Sequence, residues 1–528
     1  MRILLAVKEV IACERLAISC LSAILKEKGH EVRALVVNPL PSLPFLESNN
    51  RVGTLGTAPP ANNQSNPNGI PKAVYEVVKD FRPDIIGYTM MTGEHATLLE
   101  LNRKLKQEFD FKAVLGGPHA QFSQDVIEED GVDAICIGEG DIFFPQFVER
   151  LNAGEEYWKT ETFHVKHEGE IYRNPLGPLV EDLDSLPDPD RQTLYDAEPG
   201  LLVLGAKAFV SARGCPYRCS YCFNEEYNKN YKDLGVTGRF RSPERVVEEI
   251  AKVKERYPLS MVSLNDDVVT LKPHGWLKEF SKLYKQKVNL PFSVNTRADN
   301  LREEDVKALS EAGLKYVWMG VETGDEMAAD VVFQRDLNNN AIITACNLLR
   351  KYGVKVLALN IMGLPVKDPF EVDMRTLDLN LKIKPALASC GLLYPFPGTT
   401  IEKYSINAGF LDSENKGEFL ESNKRASLLN FHSKTEKRKV ENLQKLVGII
   451  VEFPFLRPFT RILAALPLTG FYHFLFYLHL GYCHKIRLSP FKLKNSDRGN
   501  QNGWAPYLAF FRESYIWLGT FFSLLRKT

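Results

Sequence analysis

Three cysteines within eight residues are the feature of this sequence with the clearest chemistry. They are Cys215, Cys219 and Cys222, a C-x3-C-x2-C run that directly follows an apolar segment. Thiolates are soft ligands that suit iron–sulfur clusters, and three of them leave one iron of a four-iron cluster without a protein ligand. A zinc loop and three unrelated buried thiols are the alternatives. The spacing favours a cluster with an open coordination position, which usually marks a metal centre that does chemistry.

The residues around these cysteines resemble the signature of the radical S-adenosylmethionine (SAM) superfamily. Residues 213–224 read RGCPYRCSYCFN, with an aromatic residue before the third cysteine. The resemblance implies a [4Fe-4S] cluster whose open iron chelates the amino and carboxylate groups of SAM. It also implies that an electron from the cluster cleaves SAM to methionine and a 5′-deoxyadenosyl radical, and that Tyr221 and Phe223 lie beside SAM.

The composition indicates an ordinary folded protein of several domains. The chain has 528 residues, of which 44% are hydrophobic and 25% charged. Lys plus Arg and Asp plus Glu both number 66, which argues against bulk electrostatic binding of nucleic acid. A cytoplasmic location is expected, because a cluster needs free thiolates and the N-terminal residues lack the pattern of a signal peptide.

The N-terminal third alternates strands with helices. Strands are predicted at 2–7, 32–38, 84–89, 112–115 and 133–137, and helices at 12–28, 71–81 and 95–109. This alternation predicts a parallel, doubly wound, Rossmann-like α/β domain over 1–150. Ligands of such sheets bind beyond the carboxyl ends of the strands.

Glycine-rich loops follow three of these strands and together resemble the cobalamin-binding domain that precedes many radical SAM cores. The resemblance implies these cobalamin-binding residues: Thr89, Met90, Gly93, Gly116, Gly117, Pro118, His119, Gly138, Glu139 and Gly140. The D-x-H-x-x-G motif that supplies a histidine to cobalt in other cobalamin proteins is absent. His95 or His119 could ligate cobalt, although a surface or loop histidine is the more common role.

A second run of strand–helix units begins at about residue 206. Strands are predicted at 207–211, 260–265, 291–296, 315–321, 354–361 and 388–394, with helices at 243–256, 275–286, 302–312, 338–352 and 369–383. Six units fit the partial (β/α)6 TIM barrel of the superfamily, whose active site lies at the carboxyl ends of the strands. The core is assigned to 201–410 and a linker to 151–200.

Polar residues at these strand ends predict a SAM site. Asp266 and Asp267 could bind the ammonium or ribose, although either could instead cap a helix. Arg297 could fork onto the carboxylate, and a strand-end Glu322 is favoured as ligand-facing because burial without a partner is costly. The resemblance adds Asn360 and Gly363. Residues 395–399, PFPGT, closely match the P-x-P-G-T motif of the cobalamin-linked branch.

Two other segments depart from the strand–helix rhythm. Residues 41–70 are rich in Pro, Asn and Gly, and predict a long loop that is partly disordered or, less favoured, a lid. Residues 411–528 are predicted to be a helical domain, with apolar stretches at 462–484 and 507–525. These stretches fit a lid packed on the core, an interfacial membrane anchor or, least favoured, a true span.

The resemblance implies a cobalamin-dependent radical SAM enzyme that methylates an unactivated carbon of a small molecule. The apolar C-terminal stretches suit a lipophilic substrate. One SAM yields the radical and a second remethylates cobalamin, with a flavodoxin or ferredoxin as reductant. Rivals are a cyclase or rearrangement enzyme without methyl transfer, and a non-catalytic cobalamin or cluster sensor. A tRNA-modifying role is disfavoured by the neutral charge. Cys390, at the sixth strand, could quench a radical, but a buried core thiol is the default.

Overall fold

A computed structural model describes residues 1–10, 14–39, 65–66, 68–273, 275–412, 426–483 and 488. Most of the predicted loop at 41–70 and the whole apolar stretch at 507–525 lie outside the described residues, so both stay predictions. The described chain forms two α/β units, each with its own sheet, followed by a helical segment.

The N-terminal unit is built on a sheet in which seven described strands pair in the order β2-β1-β3-β4-β5-β6-β7. The first five are parallel, as predicted. Ile3, Leu4 and Leu5 are almost fully buried, because helices cover both faces of the sheet and leave no polar side. The strands are β1 (Arg2–Val7), β2 (Glu31–Val36), β3 (Ile85–Thr89), β4 (Lys112–Gly116), β5 (Ala134–Cys136), β6 (Phe163–His167) and β7 (Glu170–Arg173).

The helices of this unit begin soon after the strands, and the first three match the predicted positions closely, whereas α4 and α5 were not predicted. They are α1 (Leu16–Glu27), α2 (Lys72–Phe81), α3 (His95–Lys106), α4 (Pro118–Phe122) and α5 (Gly140–Ala153). Two further helices, α6 (Arg191–Ala197) and α7 (Pro199–Val203), lead to the second unit.

The antiparallel hairpin of β6 and β7 is a departure from the predicted domain boundaries. It extends the N-terminal sheet but lies within 151–200, the range predicted to be linker. Glu168 and Gly169 both have positive φ, of 49° and 84°, which is the backbone of a tight two-residue hairpin turn. The Glu-Gly pair was therefore the overlooked signal in the sequence.

The second unit is a six-stranded parallel sheet among the described residues, in the order β15-β14-β13-β12-β11-β8. This sequential order is that of a partial barrel and agrees with the predicted core. Its strands are β8 (Ala206–Phe209), β11 (Met261–Leu264), β12 (Phe292–Thr296), β13 (Leu314–Glu322), β14 (Lys355–Met362) and β15 (Leu387–Leu392). A short antiparallel ribbon of β9 (Ala212–Arg213) and β10 (Arg239–Phe240) flanks the cysteine loop.

Helices pack on the outer face of the barrel strands. Ser242 caps α9 by accepting a hydrogen bond from the Arg245 amide at 3.2 Å, as expected from its sequence. The helices are α8 (Phe223–Asn230), α9 (Pro243–Arg256), α10 (Trp276–Lys287), α11 (Glu303–Ala312), α12 (Asn339–Lys351), α13 (Pro369–Ile383) and α14 (Thr400–Asn407).

The C-terminal helices pack on the barrel. They are α15 (Lys434–Glu452), α16 (Thr460–Ala465) and α17 (Thr469–Tyr482). Phe476 and Leu480 of α17 join a buried cluster with Tyr316 and Leu357 near the starts of the barrel strands. The apolar stretch at 462–484 does not form one continuous helix, because a turn at Pro467 separates α16 from α17. In the described part of the chain, no helix has the length and apolarity needed to cross a membrane.

Candidate active site

The cysteine loop lies at the carboxyl end of β8, between the two α/β units. Cys215 and Cys219 are buried and Cys222 is half-buried. Gly214 has φ +82°, and a Cβ there would meet the Thr237 carbonyl oxygen at 2.1 Å, so the loop requires glycine at this position. The Ser220 amide donates to Phe333 O at 3.0 Å, which fastens the middle of the loop to the segment after β13.

The three thiols fit an iron–sulfur cluster. Burial raises the pKa of Cys215 to about 12 and that of Cys222 to about 11, so bound iron would have to supply the charge that keeps them as thiolates. Across the described ranges, no three His, Cys, Asp or Glu side chains converge closely enough to hold one ion. A four-iron cluster does not need such convergence, since each thiolate ligates its own iron.

Polar side chains already point at two of these sulfurs. Asn224 Nδ2 lies 3.6 Å from Cys222 Sγ and Arg297 Nη1 lies 3.7 Å from Cys219 Sγ. Both are N–H donors, and hydrogen bonds to sulfur help set the reduction potential of a cluster. Arg297 also donates from Nε to Asp299 at 2.9 Å and stacks over the Tyr217 ring. Its guanidinium is thus placed beside the cluster loop, whereas the sequence analysis assigned it to the SAM carboxylate.

The adjacent carboxylates after β11 have different surroundings. Asp266 accepts hydrogen bonds from the Ser211 amide and hydroxyl, the Ala212 amide and Lys272 Nζ, all between 2.5 and 3.0 Å. This carboxylate is fully committed to holding the chain that enters the cysteine loop. Both carboxylates line a cavity of about 280 Å³ next to that loop. Burial raises the pKa of Asp267, and a hydrogen bond from the Asn224 side chain opposes that rise.

Glu322 forms a buried charged group with two residues from other segments. Its Oε1 lies 3.0 Å from Arg335 Nη1, and the same nitrogen donates to the Tyr221 hydroxyl at 2.9 Å. Burial raises the pKa of the Glu322 carboxyl, and Arg335 and Tyr221 oppose that rise. Glu322 has φ +63° at a bulge of β13, a strained conformation that aims the carboxylate back across Gly320.

Two predicted SAM residues and Cys390 belong to the barrel's outer layer. The Asn380 side chain of α13 donates a hydrogen bond from Nδ2 to Asn360 Oδ1 at 2.8 Å. The Asn360 side chain is therefore on the helix-packing side of β14 and does not face the barrel interior. The Gly363 amide donates to the buried Asp373 carboxylate at 3.0 Å. Cys390 is fully buried on the same side, consistent with the default of a core thiol.

Aromatic rings join the two units above the cysteine loop. Phe223 stacks on Phe122 of α4 with ring centroids 4.4 Å apart, and its other neighbour is Phe396 at 5.0 Å. Phe396 belongs to the 395–399 motif predicted from the sequence. Gly398 of that motif lies against Phe122 as well. The motif and Phe223 therefore form part of the contact between the barrel and the N-terminal unit.

A cavity of about 400 Å³ opens at the carboxyl ends of the N-terminal strands. A Cβ added at Gly116 would be 3.9 Å from its nearest neighbour, so the bare backbone leaves open space there. Glycines that expose backbone to a cavity of this size suit the close approach of a large ligand, and the residues fit a cobalamin tail. Six predicted cobalamin residues line it: Thr89, Gly116, Gly117, Gly138, Glu139 and Gly140.

The other four predicted cobalamin residues are His119, which stacks on His95, and three residues close to this histidine pair. His119 stacks on His95 with ring centroids 4.2 Å apart, and its Nδ1 is buried without a hydrogen-bond partner. Burial and the neighbouring His95 lower the pKa of His119 to about 4. Met90 is buried beside this pair, and its carbonyl oxygen accepts a hydrogen bond from the His119 amide. Gly93 lies in the same loop as Met90. Pro118 is the first residue of α4.

Charged residues lock the cavity to the cysteine loop. Arg213 lies two residues before Cys215. It donates two hydrogen bonds to the Asp141 carboxylate, at 2.7 and 3.0 Å. Glu139 accepts from Arg239 at 2.6 Å and from the Tyr227 hydroxyl at 2.7 Å. Glu139 was predicted as a cobalamin residue. In the structure its carboxylate joins the two units, and we call these five residues the latch.

Several residues of the site were not predicted from the sequence. Arg335 and Arg239 carry no motif of their own, and Asp141 directly follows the Gly-Glu-Gly loop. The partners of all three are more than ten residues away in sequence. One signal was present for Arg335: a glutamate at the end of an apolar strand requires a buried cation. The sequence cannot say which of 66 Lys and Arg residues supplies it.

Comparisons with known proteins agree with this geometry. The B12 binding domain family matches residues 12–148, and the radical SAM superfamily matches residues 209–376. The first match lies within the N-terminal unit, and the second lies within the barrel unit.

Several curated proteins are similar to this chain. An uncharacterized methyltransferase of Pyrococcus horikoshii is 24% identical over 342 residues, which are 63% of this chain and 72% of that protein. An anaerobic magnesium-protoporphyrin IX monomethyl ester cyclase of Rubrivivax gelatinosus is 26% identical over 391 residues, 68% of each chain. A cytidylyl-2-hydroxyethylphosphonate methyltransferase of Streptomyces wedmorensis is 22% identical, covering 65% of this chain and 70% of that protein.

Two solved structures share the fold. The radical SAM methyltransferase TsrM from Kitasatospora setae superposes with a TM-score of 0.59 at 15% identity, covering 78% of this chain and 77% of its own. The cobalamin-dependent radical SAM enzyme OxsB superposes with a TM-score of 0.64 at 14% identity, covering 91% of this chain and 72% of its own. The chain therefore belongs to the radical SAM enzymes that carry a B12-binding domain, with a [4Fe-4S] cluster, SAM and cobalamin as cofactors.

Proposed function

We propose that this enzyme transfers a methyl group to an unactivated carbon of a small molecule. When bound, SAM at the cluster supplies a 5′-deoxyadenosyl radical and cobalamin supplies a methyl group. The observation that supports the proposal is the latch, which joins the cobalamin cavity directly to the cysteine loop through Arg213 and Asp141. A reaction that needs both cofactors in sequence requires them to be held in fixed relation.

The chain's own residues have three roles in this proposal. Cys215, Cys219 and Cys222 hold the cluster, and Asp267 with the Glu322–Arg335 pair binds and orients SAM. Phe122, Phe223 and Phe396 cover the junction of the two units and exclude water from it. The six residues of the glycine-rich loops that line the 400 Å³ cavity are proposed to contact cobalamin.

The relatives support methyl transfer and also a second candidate. Two of them are named methyltransferases, whereas the match to a cyclase at 26% identity favours a radical reaction without methyl transfer as the alternative. The two candidates differ in SAM consumption. A methyltransferase forms both 5′-deoxyadenosine and S-adenosylhomocysteine, but a cyclase of this type forms only the former.

The test is anaerobic reconstitution of the full chain with iron, sulfide and hydroxocobalamin, followed by SAM and dithionite. We expect about four irons and one cobalamin per chain, with both nucleoside products. The Cys219→Ala variant is the control for cluster-dependent chemistry. Both cofactors bound with 5′-deoxyadenosine alone would favour the cyclase, and a loaded protein that forms neither product would favour a sensor.

The electron donor is proposed to be a flavodoxin or ferredoxin. Pro216 and Arg218 are exposed on the cysteine loop, although Cys215 and Cys219 beneath them are buried. A small redox protein could therefore approach the cluster from this side, and an exposed arginine suits an acidic partner.

Contact with a lipid surface is proposed for one region of the C-terminal segment. Large apolar side chains are exposed at Phe455, Phe459, Ile462 and Phe471. The neighbouring Arg457 and Arg461 form ion pairs with Asp378 and Glu371 of α13, so the exposed aromatic and aliphatic side chains carry this proposal, since such side chains suit the interfacial zone of a bilayer. Co-sedimentation with phosphatidylglycerol vesicles that Ile462→Ser weakens and Val236→Ser does not would support this contact. A dimer in place of vesicle binding would refute it.

A further inference from the structure

Alternate residues of the barrel strands face the interior, and the strand registers identify them. Ser263 pairs with Ser293, and Asn295 pairs with Trp318. Parallel partners in register point to the same side of a sheet. Val317, Val356 and Ala358 belong to the cluster that packs under the outer helices. Tyr316 and Leu357 alternate with them and Leu387 pairs with Leu357, so these three face the barrel interior, where they join a cluster with α17. The other interior side chains of these strands are Ser263, Asn265, Ser293, Asn295, Trp318, Leu359, Ile361 and Ser389.

One wall of the interior, on β11 and β12, is polar and uncharged. Ser293 Oγ donates to Ser263 Oγ at 3.2 Å, and Ser263 Oγ donates to Asn265 Oδ1 at 2.7 Å. Asn295 Nδ2 donates to the Asp266 carbonyl oxygen at 2.9 Å. Among the described residues, these bonds leave Asn265 Nδ2 as a donor and Asn295 Oδ1 as an acceptor, and Asn265 lines the cavity of about 280 Å³.

The opposite wall, on β13 and β14, is apolar. It consists of Trp318, Leu359 and Ile361. Leu359 lies in the middle of a central strand and is still 37% exposed. A mid-strand leucine is exposed there only because it faces an unfilled space. Gly320 and Gly391 on the neighbouring strands widen that space, since they have no side chains.

Among the described residues, charged groups lie at the two ends of this interior, with Lys355 at the starts of the strands and Asp267, Glu322 and Arg335 at their carboxyl ends. Lys355 stands at the start of β14, 6.0 Å from the centroid of the Tyr316 ring, and is separated from the upper interior by the layer that α17 contacts. Glu322 stands at the top, where Arg335 already neutralises it at 3.0 Å. A charged ligand between these ends would lose its hydration without gaining a counter-ion.

We infer that the barrel interior binds an uncharged, largely apolar substrate whose single hydrogen-bonding group, a hydroxyl or carbonyl, faces Asn265 and Asn295. Its apolar body would then pack on Trp318, Leu359 and Ile361. This inference rests on the proposed function, because it takes the space below the cysteine loop as the place of the reacting molecule. It adds the substrate class, which neither the relatives nor the cofactors specify.

The test compares eight-carbon probes that share one chain and differ in the head group. Kd values of 1-octanol, octanoate, octylammonium and 1-fluorooctane are measured calorimetrically on the anaerobic, reconstituted enzyme at pH 8. We expect 1-octanol to bind at least about tenfold more tightly than either charged probe. Asn295→Ala should reduce the preference for 1-octanol over 1-fluorooctane, which cannot donate a hydrogen bond.

Two variants separate the interior from other apolar surfaces. Leu359→Asp places a carboxylate in the apolar wall and should weaken 1-octanol at least about tenfold, and Leu359→Asn gives the same comparison without a charge. Phe455→Ser, on the exposed C-terminal surface, should leave the Kd unchanged. Octanoate binding as tightly as 1-octanol, or a Kd that ignores Leu359→Asp, would overturn the inference. Formation of 5′-deoxyadenosine from SAM in the same samples tests the proposed function separately.

Discussion

Replacing Asp141 by Asn tests whether the latch couples the two cofactor sites. Asp141 and Arg213 form a two-pronged ion pair with side chains 9% and 24% exposed. Removing one member of a buried pair costs about 3–5 kcal/mol when its partner is left alone. Arg213 keeps a second contact, with Glu139 at 3.3 Å, and is partly solvated. We therefore expect Asp141→Asn to lower the free energy of unfolding by about 2 kcal/mol.

The same substitution should reach both cofactors. Asp141 lines the 400 Å³ cavity, and Arg213 leads directly into the cysteine loop. We expect cobalamin affinity to fall about tenfold, equivalent to roughly 1.4 kcal/mol, and the electron paramagnetic resonance spectrum of the reduced cluster to broaden as the loop becomes heterogeneous. Urea unfolding, equilibrium titration with hydroxocobalamin and the spectrum of the reduced protein measure these three effects.

The effect of the latch on stability should depend on pH in a defined direction. Burial opposes ionisation of Asp141, but Arg213 more than compensates and holds the pKa of that carboxyl below its usual range. The unfolded chain therefore binds a proton at Asp141 before the native state does. The stabilisation is complete above about pH 4 and is lost as the pH falls through the native pKa. The difference between wild type and Asp141→Asn should shrink over that interval.

A matched control lies on the same helix. Glu149 of α5 pairs with Lys28 at 3.1 Å, but their side chains are 45% and 39% exposed. Such surface pairs contribute less than about 0.5–1 kcal/mol, so Glu149→Gln should change neither stability nor cobalamin affinity measurably. The coupling is refuted if Asp141→Asn behaves like Glu149→Gln in all three assays.

Three further substitutions test other parts of the site. Replacing any one of Cys215, Cys219 and Cys222 by Ala should abolish the visible absorbance and most of the bound iron, whereas Cys346→Ala, at a buried thiol of α12, should retain both. Arg335→Met leaves Glu322 buried without its cation, so we expect a loss of about 3 kcal/mol in unfolding free energy and weaker SAM binding. Adding Glu322→Gln to the same chain should restore most of the stability. A double variant that is no more stable than Arg335→Met would contradict the pairing. The pKa of His119 is lowered to about 4, so the unfolded chain takes up a proton at this residue before the native state does as the pH falls. Between pH 7 and 4, the unfolding free energy of the wild type should therefore fall by about 2–3 kcal/mol more than that of His119→Phe. Urea unfolding at the two pH values measures this difference, and equal losses would show that His119 is not buried as described.

Sequence patterns predicted the elements of this protein better than the roles of its side chains. The strands are apolar runs bounded by turn residues, and α9 and α13 have the bounds predicted, because local propensity and packing agree there. The hairpin of β6 and β7 was missed since its strands are short and mixed in polarity. Motifs located the cysteine loop and the cavity, but not Arg335, because buried charge pairs form between distant segments.

The side of the strand on which a residue lies explains the position of Asn360. Asn360 lies within a strand-end segment that resembles the SAM-binding consensus, yet the alternation of β14 puts Leu359 and Ile361 inside and Asn360 against α13. A one-residue difference in register exchanges the inner and outer faces. The sequence shows the alternation but not its phase, since both faces of a barrel strand carry apolar residues.

The Gly-Glu-Gly loop shows why a cofactor motif can also be a structural contact. A Cβ at Gly138 would meet the Tyr231 hydroxyl at 2.1 Å and Thr162 Cγ2 at 2.9 Å, so this glycine is required by the neighbouring protein. The Tyr231 hydroxyl in turn accepts the Glu139 amide at 3.0 Å. Only Gly140 leaves its nearest neighbour as far away as 3.5 Å on the cavity side. Gly138→Ala should therefore separate the two units, whereas Gly140→Ala should act first on cobalamin binding.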